Sequence, residues 1–382
     1  MVDMNDVQKL HEEHTGVLEV QGTFDIKTPS DLGKAYTPGV AGLSKDIEAH
    51  PEDKAKYTMS GKLIPVITDG TAVLGLGNVG PGAGLPIVEG KALIYKSFAG
   101  VDAIPMALNQ VSVDDIVKTI ETMAPSFAGI HLEDIAAPQC FEIERRLSED
   151  LDLPVYHDDQ TGTAIVVLAG LINAAKVVGK KLEDLKVVMN GVGAGGVATT
   201  NLLIAAGIKH ITLVDINGVV RAGDKSYNHF QTELADQVVQ ADGQTLDDVI
   251  DGQDAFIGLS DANVLSKDQV KRMADSPIVF ALANPVPEIS PDDAHEAGAV
   301  VTATGSSQWP NQVNNILAFP GLFKGLLQSG LKHVDMDLQV NVAQGLAGLV
   351  DNVAADKIVP SVFDDGVVDA VTKAVLDYAK KA

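Results

Sequence analysis

From residue 163 onward, apolar positions come in unbroken runs rather than in alternation. The stretch "TAIVVLAGLINAAKVVG" is built of small and apolar residues nearly all round and predicts a helix buried on every face. It is followed by "KVVMNG", which reads as a strand, "AGGVATTNLLIAAG", a helix, and "HITLVD", a second strand, together a βαβ unit. Further on, "AFIGLS", "PIVFALANP" and "AVVTATG" are short apolar runs closing in Gly, Ser, Asn or Pro, as buried parallel strands do at their carboxyl ends. Upstream the pattern is mixed: a loop "KAYTPGVAG", a strand-like "KLIPVITDG", a glycine-rich run "VLGLGNVGPGAGLPIVEGK", then alternating helix and strand through "GIHLEDI". The change of pattern after Pro154 sets the expected boundary between an N-terminal α/β domain, residues 1–155, and a doubly wound Rossmann-like domain, residues 156–382. The last roughly fifty residues read as helices that return to the first domain.

Composition agrees with that division. A chain of 382 residues exceeds one ordinary core, and 46% hydrophobic residues with 36 glycines suit an α/β protein with a large interior. The balance of 28 basic against 52 acidic residues, net −24, disfavours nucleic acid and anionic lipid as partners. Cys140 is the single cysteine, so no internal disulfide forms and a reducing compartment is expected. The start of the sequence lacks the basic and apolar blocks of a secretion signal, and no stretch has some 18 uninterrupted apolar residues, so a cytoplasmic location without membrane contact is expected.

Gly191, Gly193 and Gly196 form G-x-G-x-x-G between a strand and a helix, with Ala194 and Gly195 completing the turn. In this context the glycines serve a tight turn, backbone approach to a pyrophosphate and close helix packing, and the helix N-terminus offers amides to phosphate. Asp215 ends the next strand, where its carboxylate suits ribose hydroxyls and repels a 2′-phosphate. NAD is therefore expected ahead of NADP, although Arg221 and Lys225 lie near enough in sequence to favour the phosphate.

Acidic pairs close two other strands, Glu133 with Asp134 and Asp158 with Asp159. They fit a hard divalent cation such as Mg²⁺ or Mn²⁺, which takes oxygen ligands; taken alone, surface exposure and helix capping explain them equally well. His131 and His157 nearby read as packed or hydrogen-bonded histidines. Lys91, after Gly90, is either a surface lysine or a base whose pKa a neighbouring cation lowers, while Lys96 falls on another face. Tyr36, in a Pro and Gly loop, is either packing or a phenol that donates a proton. Asn284, Asn314 and Asn315 suit substrate amide contacts or caps.

Together "AYTPGVA", "TDGTAVLGLGNVGPGAGLPIVEGKALIYKSFAGVDAIP", "HLEDI", "HDDQTGTA", "GVGAGG", "FALANPVPEI" and "PNQVNNILAFPG" resemble the malic enzymes, in their short bacterial form, collinearly from about residue 20 to the end. The resemblance implies NAD(P)-linked oxidation of malate, metal-assisted decarboxylation of oxaloacetate, and release of pyruvate by a homodimer. It implies Glu133, Asp134 and Asp159 as metal ligands, Asp158 in the proton network, Lys91 as general base and Tyr36 as general acid. Asn284, Asn314 and Asn315 match substrate and nicotinamide contacts. The chain departs from the pattern at Thr71 and Ala72, where long malic enzymes carry an arginine, and at Ser306, where short forms often do. Both changes remove a candidate cationic clamp, leaving a soluble oxaloacetate decarboxylase or a malolactic-type lyase as the alternative on this scaffold. A catalytically silent nucleotide sensor lacks support, because Tyr36, Lys91 and the carboxylates are all present.

Overall fold

The computed structural model describes residues 3–73 and 75–381. Two sheets organise it. The first holds β1 (Leu63–Thr68), β2 (Asp102–Ala107), β3 (Ile130–Leu132) and β4 (Val155–His157), in the order β2-β1-β3-β4 and parallel throughout. The second holds β5 (Lys186–Asn190), β6 (His210–Asp215), β7 (Gly218–Val219), β8 (Ala255–Gly258), β9 (Ile278–Ala281) and β10 (Val301–Thr304). Its order is β10-β9-β8-β5-β6-β7, with β7 alone antiparallel. That is the strand order of a doubly wound nucleotide-binding sheet, whose ligand crevice opens at the carboxyl end of β5.

Each apolar run singled out above contributes a strand or helix. The runs are unbroken because both faces of these sheets are covered: β5 is buried from Val187 to Asn190 and β9 along its whole length. The Thr163–Val177 helix extends a turn over Asp158–Gly162, and this 20-residue run is apolar enough to cross a membrane by length and composition. It is instead a core helix, with 78% of its most apolar window buried.

The contact from the C-terminal region to the first sheet runs through the Phe319–Ser329 helix. Phe319 and Phe323 meet the rings of Tyr95 and His131, at 4.8 to 6.2 Å between centroids. The last two helices pack behind it: Gly321 and Gly325 let Val371 and Val375 of Val367–Ala379 approach, and Asn173 donates to Ala347 of Met336–Gly348. The N-terminal segment differs. Its helices Met4–His14, Pro29–Ala35 and Gly39–Ala49 are formed locally, the second by a Thr28–Asp31 capping box, yet none of residues 3–59 is buried.

Candidate active site

The cluster forms where β3 and β4 end. These strands pair in parallel with His131 opposite Tyr156, so Glu133 and Asp158, two residues further on, emerge side by side at the carboxyl edge of the sheet. Asp134 follows in the left-handed region at φ 55, a conformation aspartate tolerates better than most side chains, and it turns the chain so that adjacent acids both face the site. At β4 the same result comes from a π-type turn over Asp158–Gly162, an irregularity frequent at functional sites. It sends Asp158 and Asp159 in different directions. A β-carbon at Gly162 would collide with Tyr156 Oη and Asp158 Oδ1.

Lys91 projects from the Pro81–Ile94 helix into this cluster. Its Nζ donates to Asp158 Oδ2, lies 3.3 Å from Glu133 Oε1, donates to Asn315 Oδ1 at 3.3 Å, and sits 4.8 Å from the centre of the Phe319 ring. Asp158, wholly buried, also accepts from Tyr156 Oη. Asp159 turns to the other side, where its Oδ2 accepts from the Asp134 amide at 3.0 Å. Glu133, Asp134 and Asp159 each offer an oxygen within 4.8 Å of the others.

The electrostatics follow from crowding. Burial pushes Glu133, Asp134 and Asp159 above the ordinary carboxyl range, and the neighbouring acids push them further. Burial alone depresses Lys91, but the charges of Asp158 and Glu133 outweigh it and hold the ammonium above its usual range. In the protein by itself the direction is thus opposite to the one expected beside a bound cation. Asp158 is lowered on balance, because Lys91 opposes the effect of burial. Mutual repulsion among oxygens this close is relieved by a hard divalent cation, and the three ligand oxygens fit one.

The nucleotide turn abuts this cluster. A β-carbon at Gly195 would lie 3.3 Å from the Asp159 carbonyl oxygen. Gly191 adopts φ 112 against the Leu259 carbonyl, and Gly196 packs so tightly on the Gly191 carbonyl that any side chain would clash. Gly193 precedes the Ala194–Ala205 helix, whose first turn has no side-chain cap. Asp215 lines a separate cavity of about 260 Å³ with Asn190, Asn217 and Ser260.

The remaining candidates fall in different places. Asn315 joins the cluster through Lys91. Asn314 caps a short helical turn by accepting from the Ile316 amide, and Asn284 donates to Leu282 O beside Gly305. Lys96 pairs with Asp102 on the outside, as its position suggests. Thr71 Oγ1 donates to Asp69 and accepts from the Ala136 amide. Tyr36 ends the Pro29–Ala35 helix with 66% of its surface exposed and, among the described residues, bonds through its backbone alone. His131 is hydrogen-bonded on both nitrogens, whereas His157 has neither paired and lies 3.9 Å from Asp159 Oδ2.

Sequence reasoning missed four contributors. Tyr95 sits four residues after Lys91, at the start of the π-type turn that continues the Pro81–Ile94 helix, a spacing that keeps both near one face. Tyr156 and Phe319 resemble ordinary core aromatics, although Tyr156 lies two residues before Asp158 on the same strand face. Glu144 accepts from the His157 amide at 3.0 Å, and burial pushes its carboxyl up to about 8.

Known proteins match this description along nearly the whole chain. Residues 18–148 match the model of the malic enzyme N-terminal domain and residues 160–380 that of the malic enzyme NAD-binding domain. A bifunctional malic/malolactic enzyme of Bacillus subtilis is 49% identical over 97% of this chain and 91% of its own. An NAD-dependent malic enzyme of Geobacillus stearothermophilus is 46% identical over 95% and 77%. The crystal structure of an NAD-dependent malic enzyme from Thermotoga maritima superposes with a TM-score of 0.94 at 39% identity, covering 98% of this chain and 99% of that one. With two domain models in register and relatives of this closeness, the chain belongs to the malic enzyme family.

Proposed function

We propose that this protein oxidises malate to pyruvate and CO₂ with reduction of NAD, using Mg²⁺ or Mn²⁺, in the cytoplasm and as a homodimer, with its substrate and nucleotide domains meeting near residue 155. The observation that carries the reading is the meeting of Lys91, Asp158 and Asn315 with three carboxylates directly against the nucleotide turn.

Glu133, Asp134 and Asp159 hold the cation, which when bound supplies Lewis acidity toward the substrate hydroxyl and the carbonyl it becomes. With Glu133 and Asp159 engaged as ligands, two of the charges that raise Lys91 would be offset. Lys91, donating to Asp158, would pass its own proton to that carboxylate, which Tyr156 holds in place, and would then accept the hydroxyl proton. Asn284, Asn314 and Asn315 orient substrate and nicotinamide so that hydride leaves toward the cofactor. Tyr36 returns a proton to carbon after CO₂ departs.

Two contacts favour NAD over NADP. Asp215 is held by Tyr227, whose hydroxyl donates to Oδ1 at 2.8 Å. Arg221 is committed to the carbonyls of Ala241, at 3.2 Å, and Gly243, and is not free for a 2′-phosphate. The segment 3–59, along which Phe24, Ile26, Leu32 and Tyr36 are all exposed, supports the homodimer. A second copy covers this surface and carries its Tyr36 to the Lys91 cluster.

The test is an assay of malate with NAD and Mn²⁺. One reduced cofactor per pyruvate, abolished by a chelator, is expected. Lactate without net reduction, an activity in the name of the Bacillus relative, overturns the reading in favour of a lyase. Pyruvate formed only from added oxaloacetate overturns it in favour of a decarboxylase.

A further inference from the structure

We propose that Tyr95 and His131 form a buried two-residue wire that aims Glu133 at the cation, and so act as positioning residues for metal binding. The inference rests on the assignment of Glu133 as a ligand and concerns what holds it there.

All three side chains are shut off from solvent: Tyr95 and His131 are wholly buried and Glu133 is 3% exposed. Tyr95 Oη lies 2.8 Å from His131 Nδ1, and His131 Nε2 lies 2.7 Å from Glu133 Oε2. The other carboxylate oxygen, Oε1, faces Lys91 at 3.3 Å. Glu133 is therefore gripped by His131 on one oxygen, while the other stays on the side of Lys91.

The direction of the wire is fixed by donor chemistry. A carboxylate that binds a cation is ionised and only accepts, so Nε2 must carry the histidine proton. Nδ1 is then a bare acceptor. Among the described residues, Tyr95 Oη has His131 as its single hydrogen-bond partner, and a buried phenol whose proton points nowhere costs about 1–3 kcal/mol. Tyr95 thus donates to Nδ1, which leaves the ring proton on the side of Glu133. Packing keeps the ring from turning, since Tyr95, Tyr156, Phe319 and Phe323 surround it at 5.3 to 6.2 Å between centroids. An outer partner of this kind both orients a ligand and raises its basicity.

The test compares His131→Phe, His131→Gln and Tyr95→Phe with the unaltered full-length protein. Mn²⁺ affinity is read by electron paramagnetic resonance, NAD affinity by fluorescence, and the histidine tautomer by ¹⁵N chemical shifts. His131→Phe should weaken Mn²⁺ binding on the order of 10–100-fold, with NAD binding kept as evidence of an intact fold. His131→Gln, whose amide can replace the Nε2 donor, should restore most of the affinity. Tyr95→Phe should weaken Mn²⁺ by a smaller factor, on the order of a few-fold to tenfold. In the unaltered protein loaded with diamagnetic Mg²⁺, His131 should carry its proton on Nε2. A proton on Nδ1 overturns the wire, as does unaltered Mn²⁺ affinity in His131→Phe or an equal loss in His131→Gln. If the unaltered protein bound no Mn²⁺, the ligand assignment itself would fall, which separates that failure from failure of the wire.

Discussion

Two parts of this chain carry proposed chemistry in opposite surroundings. Residues 129–135 are buried without exception, although Glu133 and Asp134 are among them; residues 3–59 include none that is buried, although they present Phe24, Ile26, Leu32 and Tyr36. Acids are costly to bury, so they are found inside only where one chain has already arranged their partners: Lys91, His131, the Asp134 amide and one another. Apolar side chains are left outside where their partner is not part of the same chain. The lysine and carboxylate cluster is thus formed within one copy, whereas Tyr36 stands outside it, and its part in the proposed site depends on the proposed second copy.

The largest expected effect strikes the preformed half. Lys91→Ala should lower malate turnover by about 10²–10⁴-fold, with NAD affinity by fluorescence titration unchanged. Normal turnover would remove Lys91 from the chemistry. Next comes the exposed half, where Tyr36→Phe should cost on the order of 10²-fold in kcat while Mn²⁺ binding stays as it was. Mixing and re-equilibrating these two weakened variants should recover about a quarter of the unaltered rate, because half of the dimers are hybrids and each hybrid keeps one intact site. No recovery on mixing would put both residues of a site in the same chain and break the comparison.

Smaller effects sharpen it. Asp215→Ala should narrow the preference for NAD over NADP by on the order of tenfold in kcat/KM, by removing a charged hydrogen-bond acceptor from the ribose; an unchanged ratio would show that Asp215 does not discriminate. The smallest effect is on stability. Burial holds Glu144 and Asp159 near about 8, against about 4 for unfolded carboxyls, so the folded state keeps protons that the unfolded chain releases earlier. The stability they contribute is complete below about pH 4 and is lost as pH rises through about 8. Between about pH 6 and about pH 8 the metal-free protein should lose a few degrees of Tm. Mn²⁺ should raise Tm more at the upper pH, where its ligands are already ionised, and a Tm that climbed with pH would count against the buried acids. Substitutions in residues 3–59 should leave that slope unchanged.

Much of this was readable in the amino-acid order. Unbroken apolar runs located the strands, and the glycine turn with Asp215 marked a candidate nucleotide site, because both signals are local. The paired acids were visible too, but not the reason two neighbours serve different partners: the turn over Asp158–Gly162 that parts them depends on Tyr156 packing beneath Gly162. Tyr95 escaped notice because a tyrosine in an apolar helix looks like core filling until its hydroxyl meets His131. The exposure of Tyr36 was equally hidden, since the capping box at Thr28 sets its helix whether or not anything covers it.

One lysine among four acids also gives the site an order in time. Lys91 stands against Glu133, Asp134, Asp158 and Asp159, and a dicarboxylic acid approaching that pocket meets net repulsion once the raised acids ionise, above about pH 8. Thr71 and Ser306 stand where a cationic clamp would have softened it, and both hydroxyls are tied into their own loops. With the three carboxylates holding a cation as proposed, loading should run cation before acid, so that the metal supply decides when the carbon substrate is sampled.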